Sequence, residues 1–521
     1  MRLGVDFGTT HTVVAYADRG NYPVLSFADE AGDFHDFFPS VVAELGGELR
    51  FGFEALALAR EPGATLLRSF KRLLSDPRAA PSRPVHVGAT ALPLAELLSQ
   101  FLAALREAML TRSNLDAAHK HDRDEGLRCV IGVPAHGHGA QRFITLDAFR
   151  RAGFEPMAML NEPSAAGFEF THRHRASLTA RREHVVVYDL GGGTFDASLV
   201  RIRGTHHEIL DTNGLNWVGG DEFDAALLEL VLTRAELARS ELAEAALTRL
   251  LDQCRDAKER VSPSSRKLSI DLEGALGELA PTPELVISVD DYYDACTPLL
   301  DKTLEAMTPV LDSLERALAG DPKAGDGLAG IYVVGGASAL PLVTRVVRKR
   351  FGRRVHKSPY PSAAVAIGLA IGADESAEFA LSDHFSRTFG VFREGAAGDE
   401  ITFDPIFTRD TNVPAHNGGR RITCRRSYRA AHNVGHFRFL ECSAIGDDGR
   451  PTGDGILSGD VLFPFDPALC SPSQDLSSVP VRRSDQSPQI EEEYTLDEHG
   501  IVAVTIRNLD ADYQRIFHLG R

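Results

Sequence analysis

The sequence is poor in several features that would assign it to a special class of protein. Its six cysteines, at positions 129, 254, 296, 424, 442 and 470, are scattered without close pairs, so neither a disulfide framework nor a zinc site is predicted. No apolar run approaches the length of a membrane span, and the start lacks the regions of a signal peptide. These absences predict free thiols, no membrane partner and a cytoplasmic protein.

Positive charge is also scarce. The 521 residues include 56 Lys and Arg against 73 Asp and Glu, which gives a net charge of −17. Basic residues stand out only as short pairs such as Arg181-Arg182 and Arg425-Arg426, which we interpret as solvated loop charge. Nucleic-acid binding is therefore not expected, because it normally requires a basic patch. The length itself predicts three to four domain-sized units with large cores.

The sequence VVVYDLGGGTFDASLV, residues 185–200, is the most informative stretch. An apolar run, three glycines at 191–193 and a second apolar run predict two antiparallel strands joined by a tight turn. Because the turn carries no side chains, backbone N–H groups can approach phosphate oxygens, and Asp189, Thr194 and Asp196 can face a magnesium ion and its waters. Taken alone, the stretch also fits a glycine-rich turn with incidental acids.

The same pattern recurs at the start of the chain. LGVDFGTTHTVVAYA, residues 3–17, contains an apolar strand, Asp6, a turn with Gly8, Thr9 and Thr10, and a returning strand. Two matched hairpins far apart in the sequence suggest a duplicated architecture, in which each half supplies one phosphate loop to a shared cleft. The pair indicates a nucleotide site more strongly than either loop alone.

Two further glycine pairs follow in the second half. Gly219 and Gly220 come directly before an acidic helix start, which suits a backbone that lies close to phosphate or ribose. IYVVGGASALP, residues 331–341, predicts a buried strand, a double-glycine turn and a helix beginning near Pro341. Residues 359–373 predict an Ala-rich helix suited to close packing.

Several charged candidates have an ordinary structural interpretation as well. Lys71, in the helical pattern of residues 65–77, belongs to a Lys-Arg pair, and such a pair on a helix is usually solvated. Glu162 precedes a small-residue helix and fits a helix N-terminal acid. Lys258 and Ser262 lie one turn apart near the end of a predicted helical segment. The sequence pattern alone leaves these alternatives open.

Taken together, the motifs resemble those of the 70-kilodalton heat-shock (DnaK-type) chaperone family, within the actin, hexokinase and chaperone ATPase superfamily. They span roughly residues 1–375 and are, in order, VDFGTTHTVVA, FKRLL, VPAHGHGAQR, NEPSAA, YDLGGGTFD, GGDEFD and VVGGASALP. The resemblance implies an α/β duplicated actin-like ATPase, with two lobes around a nucleotide cleft, followed by an all-β sandwich-like C-terminal domain.

The resemblance also implies domain boundaries. They are lobe I at 1–183 and lobe II at 184–378 of an ATPase domain at 1–378, a linker at 379–391 and a β-sandwich-like domain for a substrate or partner at 392–521. The chain stops after a strand that matches the β domain, so we expect a member without the helical lid. Ala380 and Ser382 dilute the apolar character of the linker, which predicts weak coupling between the domains.

By residue-wise correspondence, the resemblance assigns ATP or ADP and Mg²⁺ to the cleft. The metal would be held through waters by Asp6 and Asp189. The catalytic residues would be Lys71, Glu162, Asp189, Thr194 and Asp196. The nucleotide would be bound by Gly8, Thr9, Thr10, His11, Gly191, Gly192, Gly193, Gly219, Gly220, Lys258, Ser262, Gly335, Gly336 and Ala337. A relay toward the C-terminal domain would include Pro134 and Arg142.

The departures from the family pattern surround the base of the nucleotide. Ala339 stands where the family often has an arginine that stacks on adenine. Tyr360-Pro361-Ser362 replaces the Asn-Pro-Asp start of the final helix, and Glu259 stands where some members carry a basic or apolar residue. The phosphate-binding residues match the family, whereas weaker adenine binding is expected.

The leading functional expectation is an ATP-binding, slowly ATP-hydrolysing chaperone. It would bind a protein or extended peptide client, with a co-chaperone or exchange factor as a further partner. Two alternatives are a nucleotide-gated scaffold that does not hydrolyse ATP and a small-molecule kinase of the same superfamily. The chaperone motifs and the β-rich tail argue against the kinase.

Overall fold

The computed structural model describes residues 1–115, 126–135, 137–179, 181–319, 327–377, 380–382, 385, 387–395, 398, 400–409, 411–414, 420–471, 473–484 and 486–520. The chain divides into two compact units. The first comprises Met1–Val41, Val130–Ala135 and Leu160–Ala380, and the second comprises Val42–Cys129, His136–Met159 and Leu381–Arg521. These units do not follow the expected boundaries after residues 183, 378 and 391, which stay a prediction.

The first unit is a mixed α/β structure. Its helices are Glu162–His174, Gly220–Arg234, Glu244–Glu259, Leu272–Leu276, Val289–Ala306, Thr308–Ala319, Pro341–Phe351 and Ala364–Ala373. Its strands are Arg2–Phe7, His11–Tyr16, Phe27–Ala28, Phe34–His35, Phe38–Pro39, His184–Leu190, Thr194–Arg203, His206–Asn216, Lys267–Asp271, Glu284–Ser288, Leu328–Val334 and Val355–Lys357. Strands that carry the chain between the units are Val41–Leu45, Leu127–Val133, Phe154–Asn161 and Ala380–Ser382.

The first predicted hairpin forms at the start of the chain. Strands Arg2–Phe7 and His11–Tyr16 are antiparallel, and Phe7 and Thr12 are the last residues paired across them. Their apolar side chains are almost wholly buried, as is typical of strands covered on both faces. The pairing leaves a loop of residues 8–11.

The second predicted hairpin has the same geometry. Strands His184–Leu190 and Thr194–Arg203 are antiparallel, with Leu190 opposite Phe195. The first of these strands also pairs in parallel with Leu328–Val334. The loop again has four residues, and in both hairpins an aspartate lies two residues before the first glycine of the loop.

Small residues let the last helix of the first unit pack closely, as predicted. Ala364–Ala373 is buried along almost all of its length. A Cβ atom on Gly368 would lie 1.7 Å from the carbonyl oxygen of Ala165, and one on Gly4 would lie 2.2 Å from the amide nitrogen of Ala370. Side chains at either glycine would therefore separate the helix from its neighbours.

The second unit joins an α/β part to an all-β part. Its helices are Gly52–Leu58, Leu94–Thr111 and Gly139–Arg151, and Phe70–Ser75 forms a 3₁₀ helix. Strands of the α/β part are Glu48–Phe51, Thr65–Arg68, Pro84–Val87 and Thr90–Pro93. The all-β part has two four-stranded antiparallel sheets, ordered Glu400–Phe407, Thr388–Gly395, Val434–Ile445, Pro451–Pro464 and Ile422–Arg429, Gln489–Leu496, Val502–Asn508, Tyr513–His518.

A core rich in aromatic side chains lies between the two sheets of the all-β part. Phe389, Phe439 and Tyr494 are fully buried there, with the rings of Phe389 and Phe439 stacked at 5.9 Å. A partly buried ion pair accompanies this core, since Arg393 from one sheet donates to the buried Glu492 carboxylate from the other at 2.8 Å. The predicted sandwich-like domain is therefore confirmed.

One secondary-structure prediction differs from the structure, and another is not tested by it. Residues 65–77 are not an α-helix, because the strand Thr65–Arg68 is followed by Ser69 in the left-handed region at φ 53° and then by a 3₁₀ helix. The predicted linker at 379–391 lies partly outside the described residues. The side chains of Ala380 and Ser382 are also outside them, so the weak coupling expected from these residues stays a prediction. Within the described part of the chain, no helix has the length and apolarity needed to cross a membrane.

Candidate functional site

The two hairpin loops lie against each other in the first unit. A Cβ atom on Gly192 would lie 2.2 Å from Oγ1 and 3.2 Å from Cβ of Thr10. Only glycine permits so close an approach between the loops. The structure therefore brings the two predicted phosphate loops together.

A buried serine fixes the first loop. The Ser40 hydroxyl donates to the carbonyl oxygen of Gly8 at 2.9 Å, and the Ser40 N–H donates to the carbonyl oxygen of Thr10, also at 2.9 Å. Its hydroxyl also lies 3.0 Å from that of Thr12. The sequence analysis missed Ser40, because its role depends on the pairing of strand His11–Tyr16 with Phe38–Pro39.

Backbone hydrogen bonds hold the second loop in its turn. The Gly191 N–H donates to the carbonyl oxygen of Thr194 at 3.0 Å. The Gly220 and Asp221 N–H groups in turn donate to the carbonyl oxygens of Gly191 and Gly192, at 3.0 and 2.8 Å. These hydrogen bonds use the carbonyl oxygens of the loop as acceptors. This arrangement suits a site in which backbone N–H groups face an anion.

The Gly219-Gly220 turn is the third segment of the site. A Cβ atom on Gly219 would lie 2.7 Å from the carbonyl oxygens of both Gly191 and Gly192. Just before this turn, Trp217 has φ 67° and donates its N–H to the carbonyl oxygen of Gly193 at 3.2 Å. A bulky residue in the left-handed region is a marker of local strain, which is common at functional sites.

Lys258 is tied to this turn by two contacts. Its Nζ atom donates to the carbonyl oxygen of Gly220 at 3.1 Å and lies 2.6 Å from the Asp224 carboxylate. Arg255 lies 3.2 Å from the same carboxylate and 3.5 Å from that of Asp221. Arg255 was not predicted, although it lies one turn before Lys258. A direct contact between Lys258 and a nucleotide stays a prediction.

The double glycine after strand Leu328–Val334 closes on the second hairpin. Gly335 has φ 87°, and a Cβ atom on it would lie 2.3 Å from Oδ1 of Asp189 and 2.4 Å from the carbonyl oxygen of Leu190. The Cβ atom of Ala337 lies 3.5 Å from the position a Cβ would take on Gly220. Four of the predicted backbone segments therefore converge in one place.

The predicted acidic residues belong to the same hairpins. Asp189 and Asp196 lie opposite each other and are only 8% and 6% exposed. Directly opposite residues of an antiparallel pair project to one face, so the two carboxylates share a face. The described residues contain no group of three or more His, Cys, Asp or Glu suited to direct metal ligation, and a metal held through waters needs no such group.

The other predicted side chains are placed as follows. Lys71 is 8% exposed, on the 3₁₀ helix of the second unit, so its interpretation as a solvated charge is wrong. Glu162 is the first residue of helix Glu162–His174, and its Cγ atom lies 3.3 Å from the position of a Cβ on Gly132.

The Ser262 hydroxyl is exposed and forms hydrogen bonds within its own turn. The His11 ring lies 3.8 Å from that of Phe37, and Thr9 and Gly336 are parts of the loops described above.

In the second unit, the predicted relay residue Arg142 contacts the all-β part. Its Nη1 atom donates to the carbonyl oxygen of His499 at 3.3 Å. Three residues earlier, the Gly139 N–H donates to the Glu441 carboxylate at 3.1 Å, and that carboxylate also accepts from Ser458 at 2.8 Å. A carboxylate at a helix N-terminus is favourably placed, so helix Gly139–Arg151 and the all-β part form a polar interface.

Comparison with known families decides the relationship. The model of the family described as Hsp70 protein matches residues 2–417. The chain belongs to the Hsp70 family. Its mixed α/β sheets in the N-terminal region and its all-β sandwich-like C-terminal region agree with this membership.

Curated relatives are similar over most of this chain. A chaperone protein HscA homolog of Burkholderia multivorans is 33% identical over 439 residues, 80% of this chain and 65% of the relative. The homolog of Tolumonas auensis is 30% identical over 433 residues, 79% of this chain and 64% of the relative. The chain therefore spans about 65% of the length of the curated relatives that it matches.

Proposed function

We propose that the first unit binds ATP with magnesium and that the protein hydrolyses it slowly, as an ATP-dependent chaperone of the Hsp70 type. The observation that carries the proposal is the meeting of two matched glycine hairpins, where a Cβ atom on Gly192 would lie 2.2 Å from Oγ1 of Thr10. A backbone with no intervening side chains suits phosphate oxygens. The HscA homologs, which are named chaperones, support the same function.

The cleft residues fit a triphosphate with its metal. Backbone N–H groups of loops 8–11 and 191–194 would hold phosphate oxygens, while Asp6, Asp189 and Asp196 would hold the metal's waters. Bound magnesium would neutralise charge on the phosphate oxygens. The fit is supported by the tight glycine cradle and by acids that supply oxygen partners, which hard cations prefer.

Hydrolysis requires mainly positioning and electrostatic stabilisation. In this proposal, Glu162, Thr194 and Asp196 orient the attacking water, and the ammonium group of Lys71 stabilises charge on the γ-phosphate. Lys71 is only 8% exposed, and lysine is rarely buried in this way. Its burial argues against a solvated surface charge and agrees with the proposed role.

The base end of the site differs from the rest. Ala339 is exposed at the end of the 3₁₀ helix Gly336–Ala339, where a methyl group supplies no cation for stacking on adenine. We therefore propose that phosphate contacts dominate nucleotide binding and that base contacts contribute less than in relatives with an arginine there.

The all-β part would bind an extended protein segment of a client. Edge strands such as Glu400–Phe407 and Ile422–Arg429 end their sheets among the described residues, and a strand edge can accept an added strand through main-chain hydrogen bonds. We place this activity in the cytoplasm, in accord with six cysteines that form no disulfide. A co-chaperone or exchange factor would be a further partner.

Single-turnover hydrolysis tests the proposal. Excess purified full chain is mixed with γ-labelled ATP, with and without magnesium, and phosphate release is followed beside Asp312→Asn, an exposed acid outside the site. We expect slow, magnesium-dependent release that Asp312→Asn leaves unchanged. Tight binding without release would favour the scaffold alternative, and label transfer that requires an added sugar would favour the kinase.

A further inference from the structure

A strongly basic segment lies outside the candidate nucleotide site. Residues 345–357, with the sequence RVVRKRFGRRVHK, contain seven Lys and Arg and no acid, in a chain with a net charge of −17. The segment covers the end of helix Pro341–Phe351, a 3₁₀ turn and strand Val355–Lys357. The sequence analysis named only short arginine pairs elsewhere, so its expectation that no larger basic patch exists is wrong.

A second element of the first unit adds to this charge. The imidazole rings of His174 and His356 lie 5.0 Å apart, which places the end of helix Glu162–His174 beside the segment. The Arg173 guanidinium lies 5.2 Å from the ring of Tyr360. We call the basic patch the set formed by Arg173, Arg345, Arg348, Lys349, Arg350, Arg353, Arg354 and Lys357.

Most of the basic patch has no acidic partner. Among the described residues, no acid lies within ion-pair distance of its exposed members Arg345, Arg348, Lys349, Arg350 and Arg353. Arg173 forms an ion pair with Glu169. Exposed faces of soluble proteins usually mix both signs of charge, and five exposed cations without an acidic partner on a strongly acidic protein depart from that pattern.

The positive charge of the patch also lowers the pKa of neighbouring groups. Burial, followed by repulsion from Arg348, lowers the pKa of both His356 and Lys357. The pKa of His174 is lowered by burial and then by His356 and Arg173. Cations therefore lie close enough to repel one another, at a cost that an anionic partner would relieve.

We propose that the basic patch is a docking site for an acidic segment of a partner protein. We favour an acidic protein segment because of charge complementarity: the planar guanidinium group of arginine can form two parallel hydrogen bonds to one carboxylate. A long polyanion such as a nucleic acid would extend beyond the patch and meet the field of a chain with net charge −17. A short acidic segment can contact the patch alone.

The apolar surroundings of the patch disfavour a membrane. Leu342, Val343 and Val347, the apolar side of its helix, are buried in the first unit, so no apolar face is left to enter a bilayer. Tyr360, 53% exposed, is the large exposed apolar side chain beside the patch. The docking does not depend on the proposed ATPase, although Lys357 donates to the carbonyl oxygen of Ala339 at 3.3 Å and so adjoins that site.

Fluorescence anisotropy with a labelled 20-residue oligoglutamate tests the proposal, using the full chain without nucleotide. We expect saturable binding that weakens at least about tenfold when salt rises from about 50 to about 200 mM. The triple variant Arg348→Glu, Lys349→Glu, Arg350→Glu should weaken it by a similar factor or more. The neutral variant Arg348→Gln, Lys349→Gln, Arg350→Gln should weaken it less, and both should keep the parent's cooperative unfolding.

The matched control reverses three exposed cations elsewhere, Arg60→Glu, Lys267→Glu and Lys302→Glu, and should bind the peptide within about twofold of the parent. Equal loss in this control would show a response to net charge alone and would overturn the proposal. A 20-nucleotide RNA or phosphatidylserine vesicles that bind the patch more tightly than the peptide would show that the partner class is wrong.

Discussion

Replacing Gly192 by alanine tests whether the two hairpin loops act as one site. The new Cβ atom would lie 2.2 Å from Oγ1 of Thr10, about 1.2 Å short of ordinary contact at 3.4 Å. Gly192 does not have a positive φ, so alanine strains the contact and not the backbone. Threonine is stiff at χ1 and its Cβ is also close, at 3.2 Å, so rotation of the Thr10 hydroxyl would still leave a short contact and we expect the loops to shift apart.

The size of the effect follows from this separation. A displacement of about 1 Å at a reacting centre can cost about a hundredfold in rate, and we expect that loss in single-turnover ATP hydrolysis by Gly192→Ala. Overpacking of one methyl group costs about 1–3 kcal/mol of unfolding free energy. The variant should therefore remain folded at 25 °C, as measured by circular dichroism and urea titration.

The control is Gly395→Ala, in the all-β part and outside the site, where a Cβ atom would meet no neighbour closer than 3.5 Å; its rate should stay within about threefold of the parent. If the clash causes the slower hydrolysis, the double variant Gly192→Ala, Thr10→Ala should lose less rate than the two single variants would lose in combination if their effects were independent. Hydrolysis by folded Gly192→Ala at the parental rate would refute the idea that the two loops cooperate.

Three further changes probe the catalytic group, the base and a buried histidine. Lys71→Ala should leave ATP affinity largely intact and slow hydrolysis about a hundredfold; parental turnover would exclude a catalytic role. Ala339→Arg should tighten ATP binding by about 0.5–2 kcal/mol through stacking on the base, and no gain by calorimetry would contradict our account of that position. Burial lowers the pKa of His207 to about 3, against about 6.5 in the unfolded chain. The folded protein therefore binds fewer protons between these values, and its unfolding free energy should fall below pH 6.5, by ~2 kcal/mol at pH 5 from this group. His207→Gln should lose that part of the pH dependence in urea titrations, and an unchanged profile would show that other groups cause it.

The backbone part of the site could be predicted from the sequence, because glycine patterns are local. Gly192, Gly219 and Gly335 each stand where a Cβ atom would meet a neighbouring loop, and each was predicted from a glycine cluster next to an apolar strand. The helix beginning at Pro341 follows the same logic, since proline suits the first turn.

Side chains that support the site could not be predicted in this way. Ser40 and Arg255 act through partners 32 and 31 residues away, and no local pattern marks such tertiary contacts. The helical periodicity around Lys71 was misleading, because it could not reveal the left-handed Ser69 that ends strand Thr65–Arg68. The basic segment at 345–357 was visible in the sequence, but only the structure shows that Arg173 lies beside it.

The central claim is that one magnesium-dependent nucleotide site lies between the two hairpins. Calorimetric titration of the full chain with ATP, with magnesium and with a chelator, tests it most directly when repeated on Asp189→Asn. We predict one ATP bound per chain, with affinity that falls when magnesium is chelated, and at least about tenfold weaker magnesium-dependent binding in the variant. Equal affinity in the parent and in folded Asp189→Asn, or no ATP binding by the parent, would contradict the claim.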